Sequence, residues 1–322
     1  MIGIKIVGLG KSIPPRCLTN DEMSTFVDTS DEWIKSRTGI SKRHVAVTET
    51  VEALATIAAK EALVSANLLA EAIDMVIVAT VSAETTMPST ASLVARNIGA
   101  NRARCFDLSA ACSGFIFASE VAISMMKQSG YKNILVIGAE VLSNRLDWED
   151  RGTCVIFGDG AGAVIYQLSQ EENQILSIET GTDASGAELI TLPVQADESP
   201  FYKGKSKRPV IGMDGRKVYV FATTKVPESI EKVVTNAKLS LENIDWFILH
   251  QANSRIMDSV AQKLSVPKER FFKNIQDYGN TSAASIPMAL YDASSQFKSG
   301  DQIVLSGFGA GLTWGTMLLR WS

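Results

Sequence analysis

Residues that could carry covalent chemistry are few in this chain, which has four cysteines and two histidines. Cys112 lies at a junction that favours chemistry, because a strand-like segment ends at Leu108 and an apolar helical segment runs from Phe115 to a glycine at Gly130. The unpaired N–H groups at the start of such a helix stabilise an anion, so the position favours a nucleophilic thiolate. An inert, buried cysteine is the alternative interpretation.

Two polar residues in the second half of the chain are candidate partners for Cys112. His250 follows the apolar segment WFIL, which predicts a place at the C-terminal end of a strand, where the sites of α/β proteins gather. Burial in the core is the alternative for this histidine. Asn280 belongs to a turn of small residues, Tyr278 to Ser285, and the glycine-rich stretch from Gly307 to Gly315 could present backbone N–H groups to an oxyanion.

Composition and charge limit the class of protein. The 322 residues are 46% hydrophobic, which is ample for a large core, and the net charge of −4 with a pI near 5.4 argues against a dedicated nucleic-acid or anionic-membrane surface. No C-x-x-C pair and no H-E-x-x-H motif occurs, so we expect no metal site. The N-terminus reads as a strand, and no run of about 18 apolar residues is found. We expect a soluble, cytoplasmic protein that does not bind membranes.

The elements that must position these residues form an internal repeat, in which strand-like and helical segments alternate. Three segments of the first half return in the second at offsets of 169 to 173 residues: IDMVIVAT at 73 as IDWFILHQ at 244, SAAC at 109 as SAAS at 282, and ILVIGAE at 134 as IVLSGFG at 303. Because the three pairs of segments share nearly the same offset, we infer two duplicated α/β halves. Residues 1–170 carry the cysteine, and residues 171–322 carry the histidine and asparagine. We expect a site at the seam between them.

Two patterns point to other classes of protein. GDGAGA at Gly158 matches the dinucleotide fingerprint G-x-G-x-x-A, but the β-forming residues Ala163 to Tyr166 follow where a helix is required. We interpret this segment as a close approach between two backbones. Cysteine, histidine and asparagine in this order also occur in papain-like proteases, yet the AACSGF context differs from the protease motif. A Cys-His-Asn hydrolase is therefore the distant alternative.

Six stretches carry a resemblance that spans the whole chain: DTSDEWIKSRTGI, SAACSGF, DRGTCVIFGDGAGA, LHQANSRI, YGNTSAASIP and GFGAGLTWG. Together they resemble the β-ketoacyl-acyl carrier protein synthase III family, the initiating condensing enzymes of type II fatty acid synthesis. The resemblance implies a thiolase-like fold with α-β-α-β-α layers, a homodimer, and no cofactor beyond the CoA thioester substrate. The implied reaction is a decarboxylative Claisen condensation of acyl-CoA, expected to be acetyl-CoA, with malonyl-acyl carrier protein. A same-fold acyltransferase of secondary metabolism is the alternative function.

The same resemblance implies roles for individual residues. Cys112 would carry the acyl group, while His250 and Asn280 would stabilise the enolate oxygen that decarboxylation leaves. The other matching positions are Thr29, Trp33, Arg37, Arg151 and Asn253 for CoA, Met87, Phe157, Met213 and Phe308 for the acyl pocket, and Arg255 and Lys263 for docking of the carrier protein.

Four features depart from the pattern of relatives. Ala310 replaces a glycine in the oxyanion loop but keeps its backbone N–H, and Gln262 stands where some relatives carry lysine. Met87 stands where relatives often carry a phenylalanine that reaches into the partner's acyl pocket, and the flexibility of methionine suggests a pocket that could accept more than acetyl. The stretch from Gln195 to Arg208 is longer and more basic than in relatives, and we interpret it as a solvated loop.

Overall fold

The structure is a computed structural model that describes residues 3–170, 173–194, 201 and 209–322. The basic stretch from Gln195 to Arg208 thus lies outside the described residues, apart from Phe201. The described strands are β1 (Gly3–Ser12), β2 (Cys17–Thr19), β3 (Lys42–His44), β4 (Met75–Ala79), β5 (Arg104–Leu108), β6 (Asn133–Glu140), β7 (Gly160–Ser169), β8 (Ile175–Thr182), β9 (Ile190–Thr191), β10 (Gly212–Met213), β11 (Trp246–Leu249), β12 (Gln302–Gly309) and β13 (Thr313–Arg320). The described α-helices are α1 (Asn20–Met23), α2 (Asp31–Thr38), α3 (Val51–Ala66), α4 (Thr90–Ile98), α5 (Gly114–Ser129), α6 (Gly215–Asn236), α7 (Ser254–Leu264), α8 (Ile275–Tyr278) and α9 (Ser285–Ala293).

The two larger sheets follow one strand pattern. The first has the order β1-β7-β6-β4-β5, and the second has the order β8-β13-β12-β11. In both sheets the first two pairs are antiparallel and the third pair is parallel, so β4 beside β6 corresponds to β11 beside β12. The repeated sequence segments at 73 and 244 therefore supply equivalent strands. The boundary predicted at residue 170 falls between β7 and β8, and the division into two domains there stays a prediction.

Helices and sheets alternate in five layers. Side chains on one face of β4, such as Val76 and Val78, pack with α3 and α4, whereas Ile77 and Ala79 on the other face pack with α5. Both α5 and α9 lie between the sheets, because each contacts strands of the first sheet and of the second. On the far side of the second sheet, α6 contacts β8, β12 and β13, and α7 packs on α6. The predicted α-β-α-β-α layers of the thiolase fold are confirmed.

Helix ends follow the signals in the sequence. α2 begins after Ser30, whose hydroxyl accepts a hydrogen bond from the Trp33 N–H, and it ends at Gly39, which has a φ of 83°. α5 ends at Gly130 with a φ of 69°. The central position of α5 explains why apolar residues cover most of its surface: both sheets pack against it.

The glycine-rich GDGAGA segment leads into β7 and opens no helix, so it is not a dinucleotide fingerprint. A Cβ atom at Gly158 would lie 2.2 Å from the carbonyl oxygen of Tyr278, and one at Gly162 would lie 2.6 Å from the backbone nitrogen of Met288. Only glycine fits at such distances, and the predicted close approach between backbones is confirmed. It holds the first sheet against α9 and against the turn that carries Asn280.

Candidate active site

One cavity of about 790 Å³ is lined by residues from both halves of the chain. Cys112, His250 and Asn280 all line it, and so do Gly309 and Ala310 of the glycine-rich stretch. Two short 3-10 turns, residues 111–113 and 282–284, contact each other beside it. The fold therefore brings three side chains that are distant in sequence into one space.

The backbones of these two turns correct one detail of the internal repeat. Ala111 has a φ of 46° and Ser282 has a φ of 49°, a left-handed conformation that is uncommon for residues other than glycine. In space Cys112 is thus equivalent to Ala283, whereas the match of SAAC with SAAS pairs it with Ser285. The sequence alignment of SAAC with SAAS is therefore shifted by two residues from the structural equivalence. Small residues fill both turns, so several alignments of the two segments look equally good.

Cys112 lies between β5 and α5, against the backbone of the glycine-rich stretch. A Cβ atom at Gly309 would lie 2.7 Å from the Cys112 backbone nitrogen, so only a glycine permits this approach. Burial raises the pKa of Cys112 to about 12, while a hydrogen bond with the Ser282 hydroxyl acts in the opposite direction.

Burial therefore acts against the resting thiolate that the sequence favours, and the charge state of Cys112 stays a prediction. A rise of the thiol pKa from its ordinary value of 9.0 to about 12 costs the anion on the order of 4 kcal/mol. A helix terminus returns only about 0.3 to 2 kcal/mol. Desolvation of Cys112 therefore opposes the stabilisation that the helix terminus gives to a thiolate.

His250 follows β11 and is oriented by a serine that the sequence did not single out as functional. Its Nδ1 lies 2.6 Å from the hydroxyl oxygen of Ser285, which also accepts the Gln251 N–H at 3.4 Å. We assign the Ser285 hydroxyl as the donor to Nδ1, because Nδ1 is the acceptor within its reach among the described residues, and this assignment places the ring hydrogen on Nε2. Burial lowers the pKa of His250 to about 3, so the imidazole is neutral and serves as an N–H donor.

Asn280 is fixed through its side-chain oxygen. The Oδ1 atom accepts the Ser282 N–H at 2.8 Å, and the Asn280 backbone N–H donates to the Ile156 carbonyl at 2.9 Å. With its acceptor oxygen used, the side chain has its amide N–H groups left for the cavity that it lines. His250 and Asn280 thus supply donors rather than acceptors to this space.

The acyl-pocket positions divide into two groups. Phe157, Met213 and Phe308 line the cavity, and the Phe308 ring lies edge-on to His250 with centroids 5.4 Å apart. Met87 does not line it, because its side chain is 84% exposed on the turn before α4. Its expected reach into a partner's pocket stays a prediction. The cavity also has apolar lining residues that sequence reasoning missed, namely Ile190, Leu192 and Ile211.

The CoA positions cluster around α2. The guanidinium of Arg151 lies 5.2 Å from the centroid of the Trp33 ring and donates to the backbone oxygen of Asp28 at 2.9 Å. The arginine over the Trp33 ring is thus Arg151 from a distant part of the chain and not Arg37, which lies on the same helix as Trp33. Arg37 is exposed in the last turn of α2. The Thr29 hydroxyl oxygen is a buried atom without a hydrogen-bond partner in the described residues.

The remaining positions lie at or on α7. The Asn253 Oδ1 caps the helix by accepting the Arg255 N–H at 2.9 Å, and its Nδ2 donates to the Arg37 carbonyl at 3.0 Å. The side chain of Asn253 therefore ties α7 to α2. Arg255 and Lys263 are both exposed on α7.

The described residues lack the features of two other classes of site. The described ranges contain no group of three or more histidine, cysteine, aspartate or glutamate side chains that could hold a metal ion. No helix in the same ranges is both long enough and apolar enough to cross a bilayer.

Comparisons with known proteins agree with this architecture. The family model described as 3-oxoacyl-[acyl-carrier-protein (ACP)] synthase III matches residues 106–184, and the model of its C-terminal part matches residues 234–321. A β-ketoacyl-[acyl-carrier-protein] synthase III of Clostridium acetobutylicum is 45% identical, with 100% of each chain covered. The crystal structure of a 3-oxoacyl-[acyl-carrier-protein] synthase III from Aquifex aeolicus has a TM-score of 0.93 at 45% identity and covers 99% of this chain and 100% of its own.

A further solved structure has a different context. The priming β-ketosynthase of a polyketide biosynthetic pathway has a TM-score of 0.92 at 32% identity, with 99% of this chain and 96% of that chain covered. Identity of 45% over complete chains, together with the matching family models, decides the assignment. The chain belongs to the β-ketoacyl-[acyl-carrier-protein] synthase III family.

Proposed function

We propose that the protein is the initiating condensing enzyme of type II fatty acid synthesis, which joins the acyl group of an acyl-CoA to malonyl-acyl carrier protein and forms 3-oxoacyl-acyl carrier protein. One observation carries the proposal: the thiol of Cys112 and the N–H donors of His250 and Asn280 line one cavity. A thiol can hold an acyl chain as a thioester, and paired donors stabilise an enolate oxygen.

The first stage acylates the enzyme. The Cys112 sulfur attacks the thioester carbonyl of acyl-CoA and loses its proton, and the tetrahedral intermediate expels the CoA thiolate, which takes up a proton and leaves as the CoA thiol. Backbone N–H groups at Cys112 and in the stretch around Gly309 are suited to hold the oxyanion, because the two backbones lie side by side at the cavity.

The second stage releases carbon dioxide from the malonyl group and forms the carbon–carbon bond. The enolate oxygen accepts hydrogen bonds from His250 Nε2–H and an Asn280 amide N–H, and the enolate carbon attacks the acyl-Cys112 carbonyl. Because His250 stays neutral, it donates without a counter-charge, and its low pKa makes it a poor base for the thiol. The Cys112 thiolate then leaves the condensed product.

Substrate binding is proposed at the remaining matched positions. The nucleotide of acyl-CoA is assigned to Thr29, Trp33, Arg37 and Arg151, and its pantetheine arm to Asn253. The partnerless hydroxyl of Thr29 supports this assignment, because a buried polar group without a partner suits a ligand contact. The reaction needs no cofactor beyond the thioester substrates. A cytoplasmic location and a homodimer stay predictions.

An acyltransferase of secondary metabolism is the second candidate function, favoured by the likeness to the priming β-ketosynthase. Both candidates use the same chemistry and differ in the acyl group and the carrier protein. A panel of acyl-CoAs with malonyl groups on fatty-acid and polyketide carrier proteins separates them. Preference for acetyl-CoA and the fatty-acid carrier protein is the expected result.

Division of labour among the three residues tests the proposal. His250→Ala and Asn280→Ala should still form acyl-enzyme, because neither residue takes the thiol proton. Release of carbon dioxide from malonyl-carrier protein should fall by about 100 to 1000-fold in each variant, which is the usual cost of one oxyanion donor. Intact mass measures the first step, and radiolabelled carbon dioxide measures the second.

Cys112→Ala is the matched control, since it removes the acyl carrier and keeps both donors. It should form no acyl-enzyme but should still decarboxylate malonyl groups. Loss of acylation with intact decarboxylation in His250→Ala would instead make His250 the base for Cys112 and overturn this assignment. Release of free acid by the unmodified protein would favour a hydrolase.

A further inference from the structure

A largely buried ion pair outside the active-site cavity has no role in the reaction described so far. Lys11 of β1 and Asp292 of α9 form a salt bridge, and their side chains are only 18% and 19% exposed. The Lys11 ammonium also donates a hydrogen bond to the Tyr278 hydroxyl at 2.9 Å. The second carboxylate oxygen of Asp292 accepts a hydrogen bond from the Asn274 side-chain amide at 2.9 Å.

These contacts hold both ends of α8, the short helix that lies between His250 and Asn280 in the sequence. Asn274 is the residue before α8, and Tyr278 is its last residue. Asp292 binds the first of these side chains directly and reaches the second through Lys11. One ion pair therefore fixes the start and the end of the same helical turn.

The start of α8 is linked to His250. The Asn274 backbone N–H donates to Gln251 Oε1 at 3.1 Å, and Gln251 Nε2 donates to the Leu249 carbonyl at 2.7 Å. The Gln251 side chain thus spans the backbone of His250. His250, Gln251 and Asn274 are all buried, and closely packed groups do not shift independently. A displacement of Asn274 would therefore be passed to the imidazole.

The end of α8 is linked to Asn280, which follows Tyr278 by two residues. The Asn280 backbone N–H donates to the Ile156 carbonyl at 2.9 Å, and its carbonyl accepts the Gly158 N–H at 3.0 Å. These bonds hold the residue on one side. The contact of the Tyr278 hydroxyl with Lys11 holds the segment that leads into Asn280 from the other side.

α9 joins the ion pair to a further contact of the site. Ser285, which is hydrogen-bonded to His250 Nδ1, and Asp292 lie seven residues apart on this helix. Seven residues correspond to about 20° around an α-helix, so the two side chains share one face. That face of α9 therefore holds His250 directly and α8 through Asp292.

The surroundings of Lys11 suit an anchor. Burial acts to lower the pKa of Lys11, but its hydrogen bonds with Asp292 and Tyr278 outweigh burial and raise the pKa above its ordinary value. The ammonium lies 4.9 Å from the centroid of the Tyr278 ring and 5.2 Å from that of Tyr291. Hydrogen bonds that involve a charged group are about twice as strong as neutral ones.

We propose that the ion pair of Lys11 and Asp292 positions His250 and Asn280 so that both donors meet the enolate oxygen when malonyl-carrier protein loses carbon dioxide. Neither member of the pair lines the cavity, so both are positioning residues. The inference deepens the proposed function and rests on it, because the two donors act together in decarboxylation. Acylation of Cys112 proceeds without them.

Two variants of the ion pair provide the first test. Lys11→Met removes the cation and keeps most of the stem, and Asp292→Asn removes the negative charge at nearly constant shape. The kcat for release of carbon dioxide from malonyl-carrier protein should fall by about 10 to 100-fold in each, because a misplacement of about 1 Å can cost about 100-fold. KM for malonyl-carrier protein and single-turnover acylation by acyl-CoA should stay unchanged. Decarboxylation at the original rate would overturn the proposal.

A double-mutant cycle distinguishes positioning from a general loss of structure. If Lys11 acts through Asn280, then Lys11→Met should reduce decarboxylation much less in a protein that already carries Asn280→Ala. Losses that simply multiply in the double variant would show that Lys11 acts independently of Asn280 and would contradict the proposal.

Tyr278→Phe is the mildest variant, since it removes one hydroxyl and leaves the ion pair in place. It should reduce decarboxylation by a smaller factor than Lys11→Met does, because only one end of α8 is released. An unchanged rate in Tyr278→Phe would contradict the link to Asn280, even where the two variants of the ion pair do not fold.

Lys232→Ala is the control, because it breaks a salt bridge with Glu179 that has no contact with α8, and it should change neither half-reaction. Equal losses of acylation, decarboxylation and thermal stability in Lys11→Met and Asp292→Asn would indicate a structural role and contradict the proposal. Failure of the original protein to release carbon dioxide from malonyl-carrier protein would instead contradict the proposed function and is a distinct outcome.

Discussion

Ser285 shows how a neighbouring residue decides which role a histidine side chain can take. A histidine at the end of a strand could act as a base, as a hydrogen-bond donor or as a core residue. The residue type alone does not distinguish these roles. The hydroxyl 2.6 Å from Nδ1 and the burial that lowers the histidine pKa make His250 a neutral N–H donor. The decisive contact joins residues that lie 35 positions apart in the sequence.

The stacked pair of Trp33 and Arg151 leads to a prediction about CoA. Their separation of 5.2 Å is too small for an adenine between them, since two van der Waals contacts require about 7 Å. If the nucleotide stacks on Trp33 as proposed, we expect Arg151 to move away from the tryptophan on binding. Trp33→Ala should raise KM for acyl-CoA by about 10-fold, because one base stacked on an aromatic ring contributes about 1 to 3 kcal/mol.

Acyl-pantetheine is the control substrate for this prediction, because it lacks the nucleotide. Its kinetics should be the same with Trp33→Ala and with the original protein, while stopped-flow fluorescence of Trp33 should change on binding of CoA. Equal losses with both substrates would show that Trp33 supports the packing of α2 instead.

At the scale of elements, α7 carries the two positions, Arg255 and Lys263, at which docking of the carrier protein is predicted. Arg255 and Gln262 lie about 20° apart around the helix, whereas Lys263 lies about 80° from Arg255. The position where some relatives carry lysine is therefore on the same face as Arg255, and this protein has a neutral residue there. The predicted docking face of α7 therefore carries fewer positive charges than in those relatives.

Arg255→Glu should raise KM for malonyl-carrier protein by about 10-fold at low salt, because it replaces attraction to an acidic partner with repulsion. The effect should shrink at about 1 M salt, where the screening length is about 3 Å. Acylation by acyl-CoA should not change. Gln262→Lys should have the opposite effect on KM, and Lys263→Glu should have a smaller one. Equal damage to acylation in Arg255→Glu would place this residue at the CoA site.

Elements were predictable where local physics fixes them, and contacts between elements were not. Buried strands such as β4 have continuous β-branched runs, and Ser30 and Gly39 mark helix ends by hydrogen bonding and by a left-handed φ. The sequence alignment of the two turns was shifted by two residues, because their structural equivalence depends on the backbone φ and not on composition. Lys11 reads as an ordinary strand residue in sequence, since its contact with Asp292 spans 281 positions.

At the scale of the whole molecule, the turn that carries Met87 is anchored at one edge of the first sheet, on the strand that precedes the turn with Cys112. β5 is the edge strand, and its side chains, including Phe106 and Leu108, are only partly buried. Exposed edges favour pairing with another chain. Asp107 of β5 accepts the Thr90 and Ala91 N–H groups at the start of α4, so the turn with Met87 is anchored at this edge, one short segment from Cys112. A homodimer that pairs along β5 would carry Met87 toward the partner's cavity.

Met87→Phe should then narrow the acyl pocket and shift preference toward acetyl-CoA, by about 10 to 200-fold for each methylene that no longer fits. Competition between acetyl-CoA and longer acyl-CoAs measures the change, and Leu69→Phe, a substitution at another exposed apolar residue, should leave the ranking unchanged. Mixed dimers decide which chain supplies the residue. In a dimer of Met87→Phe with Cys112→Ala, the only reactive cysteine lies in the chain with phenylalanine, and its pocket receives the methionine of the other chain. Such a dimer should keep the original preference for acyl-CoA. If it prefers acetyl-CoA as the Met87→Phe homodimer does, Met87 acts on its own chain, and the proposed reach across the β5 edge is wrong.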